Sequence, residues 1–169
     1  MRQAFIISLI LSLLILSVCS LAFAEEFSGQ VVGIIDGDTI EVMHLGKAER
    51  VRLHGVDCPE IGQPYGERAR KYTSTHTLRK IVTVIIDDKD KDGQTVGQVI
   101  LPDMSNLNIV LISAGLAWWH ETFAPEDKIL MDVQESAKAA ERGLWADPDP
   151  IPPWEWRSEA SEPQGHQPE

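Results

Sequence analysis

Cysteine is almost absent from this sequence, which has two cysteines, Cys19 and Cys58, in 169 residues. Cys19 lies in an apolar N-terminal segment that we expect to be removed, so Cys58 has no partner within the rest of the chain. A small domain held together by disulfides is therefore excluded. The fold must depend on a hydrophobic core, and the roughly 145 residues that follow the segment are enough to build one.

Positive charge is also scarce, because 15 Lys and Arg residues stand against 26 Asp and Glu residues, for a net charge of −11. Removal of residues 1–24 takes away one arginine and no acid, which makes the net charge −12. This excess of acidic residues excludes a protein that binds nucleic acid through a broad basic surface. A polyanionic partner would need a local cationic site or a bound metal ion. The sequence has no internal repeat, and we expect one domain that is a monomer.

Long apolar runs are confined to the N-terminus. Residues 4–18 are almost entirely apolar, and Ala22-Phe23-Ala24 has the small-x-small pattern of a signal-peptide cleavage site. We expect residues 1–24 to be a signal peptide cleaved after Ala24, which gives a secreted or periplasmic protein without stable membrane association. Two alternatives stay open: a retained membrane anchor, because the run is just long enough to span a bilayer, and a lipoprotein modified at Cys19.

The remaining chain alternates between strand and helix patterns. Beta-branched and apolar runs predict five strands, at residues 26–35, 39–45, 49–56, 81–86 and 95–101. Apolar residues at helical spacing predict three helices, at about residues 64–79, 106–114 and 125–142. The first three strands should pair antiparallel in succession. This order predicts an α+β fold, a five-stranded OB-fold-like β-barrel with three helices.

The C-terminal boundaries follow from composition. We expect the domain to occupy residues 25–146 and a Pro- and Trp-rich extension to occupy residues 147–157. Its four prolines argue against a helix, whereas its tryptophans argue that it lies against the domain. Residues 158–169 are polar and predicted to be a disordered tail.

Polar motifs interrupt the predicted strands in an order that resembles one known family. The motifs are Ile35-Asp36-Gly37-Asp38-Thr39, Val51-Arg52-Leu53, Val56-Asp57-Cys58-Pro59-Glu60, Pro64-Tyr65-Gly66, Ala114-Gly115-Leu116-Ala117 and Arg142-Gly143-Leu144-Trp145. Together they are similar to the signature of the staphylococcal nuclease (thermonuclease) family, over residues 29–145. Enzymes of that family are calcium-dependent phosphodiesterases that cut DNA and RNA, so the resemblance implies a nucleic acid substrate and Ca²⁺ as cofactor.

The resemblance also implies roles for individual residues. Asp38 and Asp57 would ligate calcium, together with the backbone carbonyl of Cys58. Arg52 would bind the scissile phosphate, and Glu60 would be the general base or would position the attacking water. The chemistry of these residues agrees with such roles, because calcium prefers oxygen ligands and a planar guanidinium matches two phosphate oxygens.

Three positions depart from the family pattern. Family enzymes carry a second catalytic arginine between the fourth and fifth strands, but alignment on Gly93 puts Gln94 there, with acidic Asp92 where an aromatic is expected. Phe123 stands where a tyrosine is usual. Loss of a charge-assisted contact to the transition state costs on the order of 10²- to 10³-fold in rate. Two functions therefore stay open: a weakened nuclease, and a catalytically impaired OB-type module that binds metal and nucleic acid. A third alternative is an envelope-anchored interaction protein that works through its aromatic tail.

The same loop contains Asp88-x-Asp90-x-Asp92-Gly93, which matches the opening of an EF-hand calcium loop. The twelfth position is Val99 rather than a bidentate glutamate, and strands rather than helices are predicted on both sides. A solvated acidic hairpin is the simpler interpretation, and a second calcium site is the alternative.

Overall fold

The computed structural model describes residues 25–161. The predicted signal peptide, including Cys19, and residues 162–169 of the predicted tail lie outside the described residues. The strands are β1 (Glu26–Ile34), β2 (Thr39–His44), β3 (Lys47–Leu53), β4 (Val56–Asp57), β5 (Ile81–Lys89), β6 (Thr95–Ile100) and β7 (Trp118–Trp119). The helices are α1 (Gly66–Thr77), α2 (Leu107–Ser113), α3 (Lys128–Ala139) and α4 (Pro153–Ser161), with a 3₁₀ turn at Gly143–Ala146.

Five strands close into a barrel in the order β1-β2-β3-β6-β5. All neighbours pair antiparallel except β3 and β6, which pair parallel. Alternate residues point into the barrel, where Val31, Ile40, Val42 and Val51 are completely buried. The predicted α+β fold with an OB-like five-stranded barrel is confirmed, and so is the antiparallel succession of the first three strands.

The ends of two helices are set by side-chain caps. The Asn106 side chain accepts a hydrogen bond from the backbone N–H of Asn108 and begins α2. Asp127 accepts from the N–H groups of Ile129 and Leu130, at 3.0 Å each, so α3 begins at Lys128 rather than at Pro125 as predicted. The caps fix the directions in which α2 and α3 leave the barrel.

The expectation that the C-terminal extension is not helical was wrong. Helix α4 begins at Pro153, because proline is tolerated in the first turn, where its missing N–H would have no helical partner. The helix continues through Ser161, so the first residues of the segment predicted to be disordered are helical. The molecule therefore has four α-helices among its described residues, not three. The prediction that the extension lies against the domain is confirmed, since the Gln63 side-chain amide donates to the carbonyl of Ile151 at 2.7 Å.

Two glycines join the end of α2 to the 3₁₀ turn. Gly115 adopts φ +63° and Gly143 φ +56°, and a Cβ atom added to Gly115 would lie 2.0 Å from the carbonyl oxygen of Arg142. Only glycine permits this approach of two backbones, which the N–H of Leu144 then locks by donating to the carbonyl of Gly115 at 2.8 Å. This contact brings the extension beside the barrel. No helix within residues 25–161 is both long and apolar enough to cross a bilayer.

Candidate active site

The turn between β1 and β2 lies against the segment that follows β4. The Asp38 carboxylate accepts a hydrogen bond from the backbone N–H of Cys58 at 2.7 Å. The hydroxyl of Thr73 in α1 donates to the carbonyl of Gly37 at 2.6 Å and holds the turn from the other side. Gly37 is required here, because an added Cβ would lie 2.6 Å from that of Cys58. The sequence motifs around Asp38 and Asp57 thus meet in one place.

Asp38 is a buried carboxylate with 5% of its surface exposed. Burial raises the pKa of Asp38 to about 8, and the negative charge of Asp36 adds to the effect. Hydrogen bonds from Thr39 and from the backbone of Cys58 favour its charged form without offsetting burial. None of the ion pairs found within residues 25–161 includes Asp38. A cation placed beside this carboxylate would stabilise its ionised form.

Asp57 is buried beneath two arginines. Its side chain is 2% exposed, and Nη1 and Nη2 of Arg157 lie 3.1 Å from Oδ1 and 2.7 Å from Oδ2. Nη2 of Arg52 lies 3.6 Å from Oδ1. His120 approaches from a third side, with Nε2 4.0 Å from Oδ2. Such a fork-to-fork pair is among the stronger polar contacts in proteins, so Arg157 holds Asp57 in a fixed orientation.

Glu60 shares the same arginine. Nη1 of Arg157 donates to Oε1 of Glu60 at 2.6 Å, and the backbone N–H of Glu60 donates to the Gln63 side chain at 2.9 Å. The hydrogen bonds to Asp57 and Glu60 raise the pKa of the Arg157 guanidinium above its usual value. The guanidinium therefore stays charged at every working pH, and its charge lies between two of the predicted site residues.

His120 and Phe123 complete one wall of the pocket. The rings of His120 and Phe123 are 4.3 Å apart, and Trp154 of α4 lies 4.9 Å from His120 on another side. Burial lowers the pKa of His120, although the charge of Asp57 acts in the opposite direction. Phe123 is 61% exposed and forms the rim of the pocket, where an aromatic ring can stack on a nucleobase.

Four predicted site residues, Arg52, Glu60, Asp38 and Asp57, line this single pocket, with Cys58 beside them. Gln94 does not line it. The Gln94 side chain donates to Oδ2 of Asp90 at 2.9 Å, and its backbone N–H donates to Oδ1 of the same residue at 2.9 Å. The acid that contacts Gln94 is therefore Asp90. Arg157 and His120 were not predicted; for Arg157 the only signal was a cation within an aromatic segment expected to dock.

Asp88 lies near the end of β5, and Asp90 and Asp92 lie in the loop that joins β5 to β6, so strands flank this loop as predicted. The Asp90 carboxylate is used within the turn, where Oδ1 accepts the backbone N–H groups of Asp92 and Gln94. Across the part of the chain that the structure describes, no three His, Cys, Asp or Glu side chains are grouped as a metal-binding set. The second calcium site stays an unsupported alternative.

The donor chemistry of the pocket fits calcium, which accepts irregular sets of oxygen ligands. Asp38 offers a buried carboxylate that has no ion-pair partner among residues 25–161, and Asp57 offers a second carboxylate. Two side chains and a carbonyl are fewer ligands than calcium takes, so water or substrate oxygens would complete the set. The carboxylate of Asp57 would have to give up part of its contact with Arg157.

Comparison with known proteins gives a consistent result. Residues 50–147 match the family model described as "Staphylococcal nuclease homologue". An "Uncharacterized endonuclease" of Escherichia coli O157:H7 is 42% identical over 132 residues, which cover 78% of this chain and 86% of the relative. A "Micrococcal nuclease" of Shigella flexneri is 36% identical, over 78% of this chain and 81% of the relative. "Protein ParB" of Escherichia coli is 36% identical, over 89% of each.

Proposed function

This chain belongs to the staphylococcal nuclease family, and from that premise we propose that it is an exported, calcium-dependent enzyme that hydrolyses phosphodiester bonds of DNA or RNA. The observation that carries the proposal is the convergence of Arg52, Asp38, Asp57 and Glu60 on one pocket. These residues come from two separate segments of the sequence, and the contact between Asp38 and Cys58 joins the segments.

Asp38, Asp57 and the carbonyl of Cys58 would hold the calcium ion. When bound, the ion would supply positive charge that stabilises the extra negative charge of the phosphodiester in the transition state. Without such a charge, the acidity of the chain opposes the approach of nucleic acid, since the net charge is −11. A single local cationic centre is enough for recognition of one phosphate.

Arg52 would contact the scissile phosphate. Its side chain is 39% exposed and lines the pocket, with Nη2 3.6 Å from Oδ1 of Asp57. Two parallel N–H groups can donate to two phosphate oxygens and hold the phosphorus in position for attack. Because the phosphate gains negative charge in the transition state, this contact strengthens as the reaction proceeds.

Glu60 would accept a proton from the attacking water, or would orient that water. Its side chain is 36% exposed, so water can reach it, and Gln63 holds its backbone. A carboxylate in this position is a competent general base only while it is ionised. Arg157 orients this carboxylate, because its guanidinium donates to Oε1 of Glu60 at 2.6 Å.

Export is part of the proposal. The apolar segment 4–18 and the site Ala22-Phe23-Ala24 support cleavage that leaves Glu25 as the first residue. Intact-mass measurement on the protein from its native host tests this. A diacylated species beginning at Cys19 would contradict it.

The activity is tested with purified mature protein and a single-stranded DNA substrate, in calcium, without calcium and with a chelator. We expect hydrolysis in calcium alone and loss of at least about 10²-fold in rate for Arg52→Ala. Arg50→Ala is the matched control, because Arg50 is an exposed arginine on the same strand that pairs loosely with Glu41 at 4.0 Å. Binding of the substrate without hydrolysis would contradict the proposal and leave a binding module.

A further inference from the structure

Among the described residues of the C-terminal extension, Arg157 is the one that lines the pocket. It is separated from Asp57 by 100 residues of sequence and makes three hydrogen bonds, two to Asp57 and one to Glu60. These are the longest-range side-chain contacts of the site. No role for this arginine follows from the motifs of the sequence.

The extension that carries Arg157 is fixed on the domain. Trp154 packs edge-on against Trp118 with ring centroids 5.6 Å apart, and against His120 at 4.9 Å. Just before the helix, the carbonyl of Ile151 accepts a hydrogen bond from Gln63, whose side-chain oxygen accepts from the backbone N–H of Glu60. Aromatic contacts therefore set the position of α4, and Gln63 ties it to the same loop that carries Glu60.

Two guanidinium groups consequently lie beside the same carboxylate oxygen of Asp57. Nη2 of Arg52 and Nη1 of Arg157 both lie close to Oδ1 of Asp57, at 3.6 and 3.1 Å. Within residues 25–161, they are the two permanently charged cations that line the pocket. Gln94 supplies no charge, because it is neutral and bound to Asp90. A phosphate group that contacts Arg52 would thus have one further cation within reach.

Arg157 has donors left for such a phosphate. Among the described contacts, its hydrogen bonds to Asp57 and Glu60 use at most three of the five N–H groups of a guanidinium. Its side chain is 40% exposed, so a substrate can reach it from solvent. The two carboxylates orient the guanidinium, and its remaining N–H groups are available to a phosphate.

We propose that Arg157 is the second phosphate-binding residue of this active site, supplied by the C-terminal helix. Together with Arg52 it would form a clamp of two guanidiniums around one phosphate group. This inference rests on the proposed function, because it assigns a partner to the same phosphate that Arg52 binds. The clamp would raise turnover more than ground-state affinity, since the phosphate oxygens gain negative charge in the transition state.

The experiment compares Arg157→Ala and Arg157→Gln with wild type, and Arg70→Ala serves as the control. The glutamine side chain keeps hydrogen-bonding capacity and part of the length, so Arg157→Gln reports the loss of charge if the alanine variant unfolds. Arg70 is exposed and pairs with Glu67 in α1, away from the pocket. Steady-state hydrolysis of single-stranded DNA is measured in saturating calcium over a series of NaCl concentrations. Thermal unfolding is followed in parallel.

We expect both Arg157 variants to lower kcat/KM by about 10²-fold, mainly through kcat. The slope of log(kcat/KM) against log[NaCl] should become shallower by about 0.7, the value for one phosphate contact on a single strand. Arg70→Ala should change neither quantity. A salt slope equal to that of wild type would overturn the proposal, whether activity falls or rises. Activity above wild type would mean that Arg157 blocks the site instead.

Failure of the proposed function can be told apart from failure of this inference. If wild type does not cleave DNA in calcium, the nuclease proposal fails, and the salt slope is measured on binding of the same oligonucleotide. A shallower slope for the Arg157 variants would still support phosphate contact. An unchanged slope, or no binding by wild type, would overturn it.

Discussion

Gln94→Arg, made in wild type and in Arg157→Ala, asks whether the two positions serve the same phosphate. Gln94 aligns with the family's second arginine, and Arg157 is the proposed replacement. If both guanidiniums act on one phosphate, an arginine at position 94 should help most when Arg157 is missing. The effects of two residues that share a partner are not additive.

The structure limits the size of the gain. An arginine at position 94 would first meet Asp90, whose carboxylate lies 2.9 Å from the Gln94 side-chain nitrogen. An exposed ion pair of this kind is worth about 0.2–1 kcal/mol, which lowers the free guanidinium population by up to roughly 5-fold. Since one transition-state contact is worth about 10²-fold, we expect a gain of about 20-fold or more in kcat in Arg157→Ala. In wild type we expect a gain of about 3-fold or less, because the shared phosphate already has its second cation.

Asp90→Asn combined with Gln94→Arg should exceed the single change. An asparagine keeps the Oδ1 acceptor that receives the backbone N–H groups of Asp92 and Gln94, so the hairpin should stay intact. The assay is calcium-dependent hydrolysis of single-stranded DNA at matched salt. Equal gains in the two backgrounds would refute a shared phosphate. No gain in either, even with Asp90→Asn, would show that the hairpin does not reach the substrate.

Three further outcomes are expected. Asp38→Ala should weaken calcium binding measured by calorimetry, whereas Arg52→Ala should still bind calcium and should lose turnover. Unchanged calcium affinity in Asp38→Ala would mean that the metal site is elsewhere. Hydrogen bonds from Thr95 and Lys89 lower the pKa of Glu49 to about 2. The contribution of ionised Glu49 to the stability of the fold is therefore complete above about pH 4.5 and is lost as the pH falls toward 2. Glu49→Gln should lower the free energy of unfolding by about 1–2 kcal/mol at pH 7 and by little near pH 2. Buried Asn108 donates to the carbonyl of His54 at 2.9 Å, and Asn108→Ala should cost about 2–3 kcal/mol in denaturant unfolding; a cost below about 0.5 kcal/mol would contradict this.

The barrel was predictable because its signals are local. Strands such as Thr95–Ile100 are rich in beta-branched residues, which marked them in the sequence, and the structure shows them alternating between buried and partly exposed positions. The meeting of Asp38 with Asp57 was predictable because each residue lies where a predicted strand is interrupted or ends, whereas the roles of the two residues followed from the resemblance in motif order. Their roles stay predictions, although their proximity is shown.

The remaining elements depend on contacts that no local pattern encodes. Strands β4 and β7 have two residues each, too few to show a period. Helix α4 has a weak amphipathic pattern and follows several prolines, so composition argued for an irregular segment. What determines its position is the docking of Trp154 on Trp118, a tertiary contact. Arg157 reaches the pocket only because of that docking, which is why the sequence did not point to it.

The distance along the chain between Asp57 and Arg157 also orders events in time. A ribosome releases the barrel strands and the loop with Glu60 long before it releases α4, and domains can begin to fold from their N-terminal side during synthesis. The guanidinium of Arg157, which pairs with Asp57, is therefore the last part of the pocket to be synthesised. A chain that stops short of residue 157, through premature termination or trimming from the C-terminus, would contain every motif of the sequence signature and still lack one of the two guanidiniums beside Asp57.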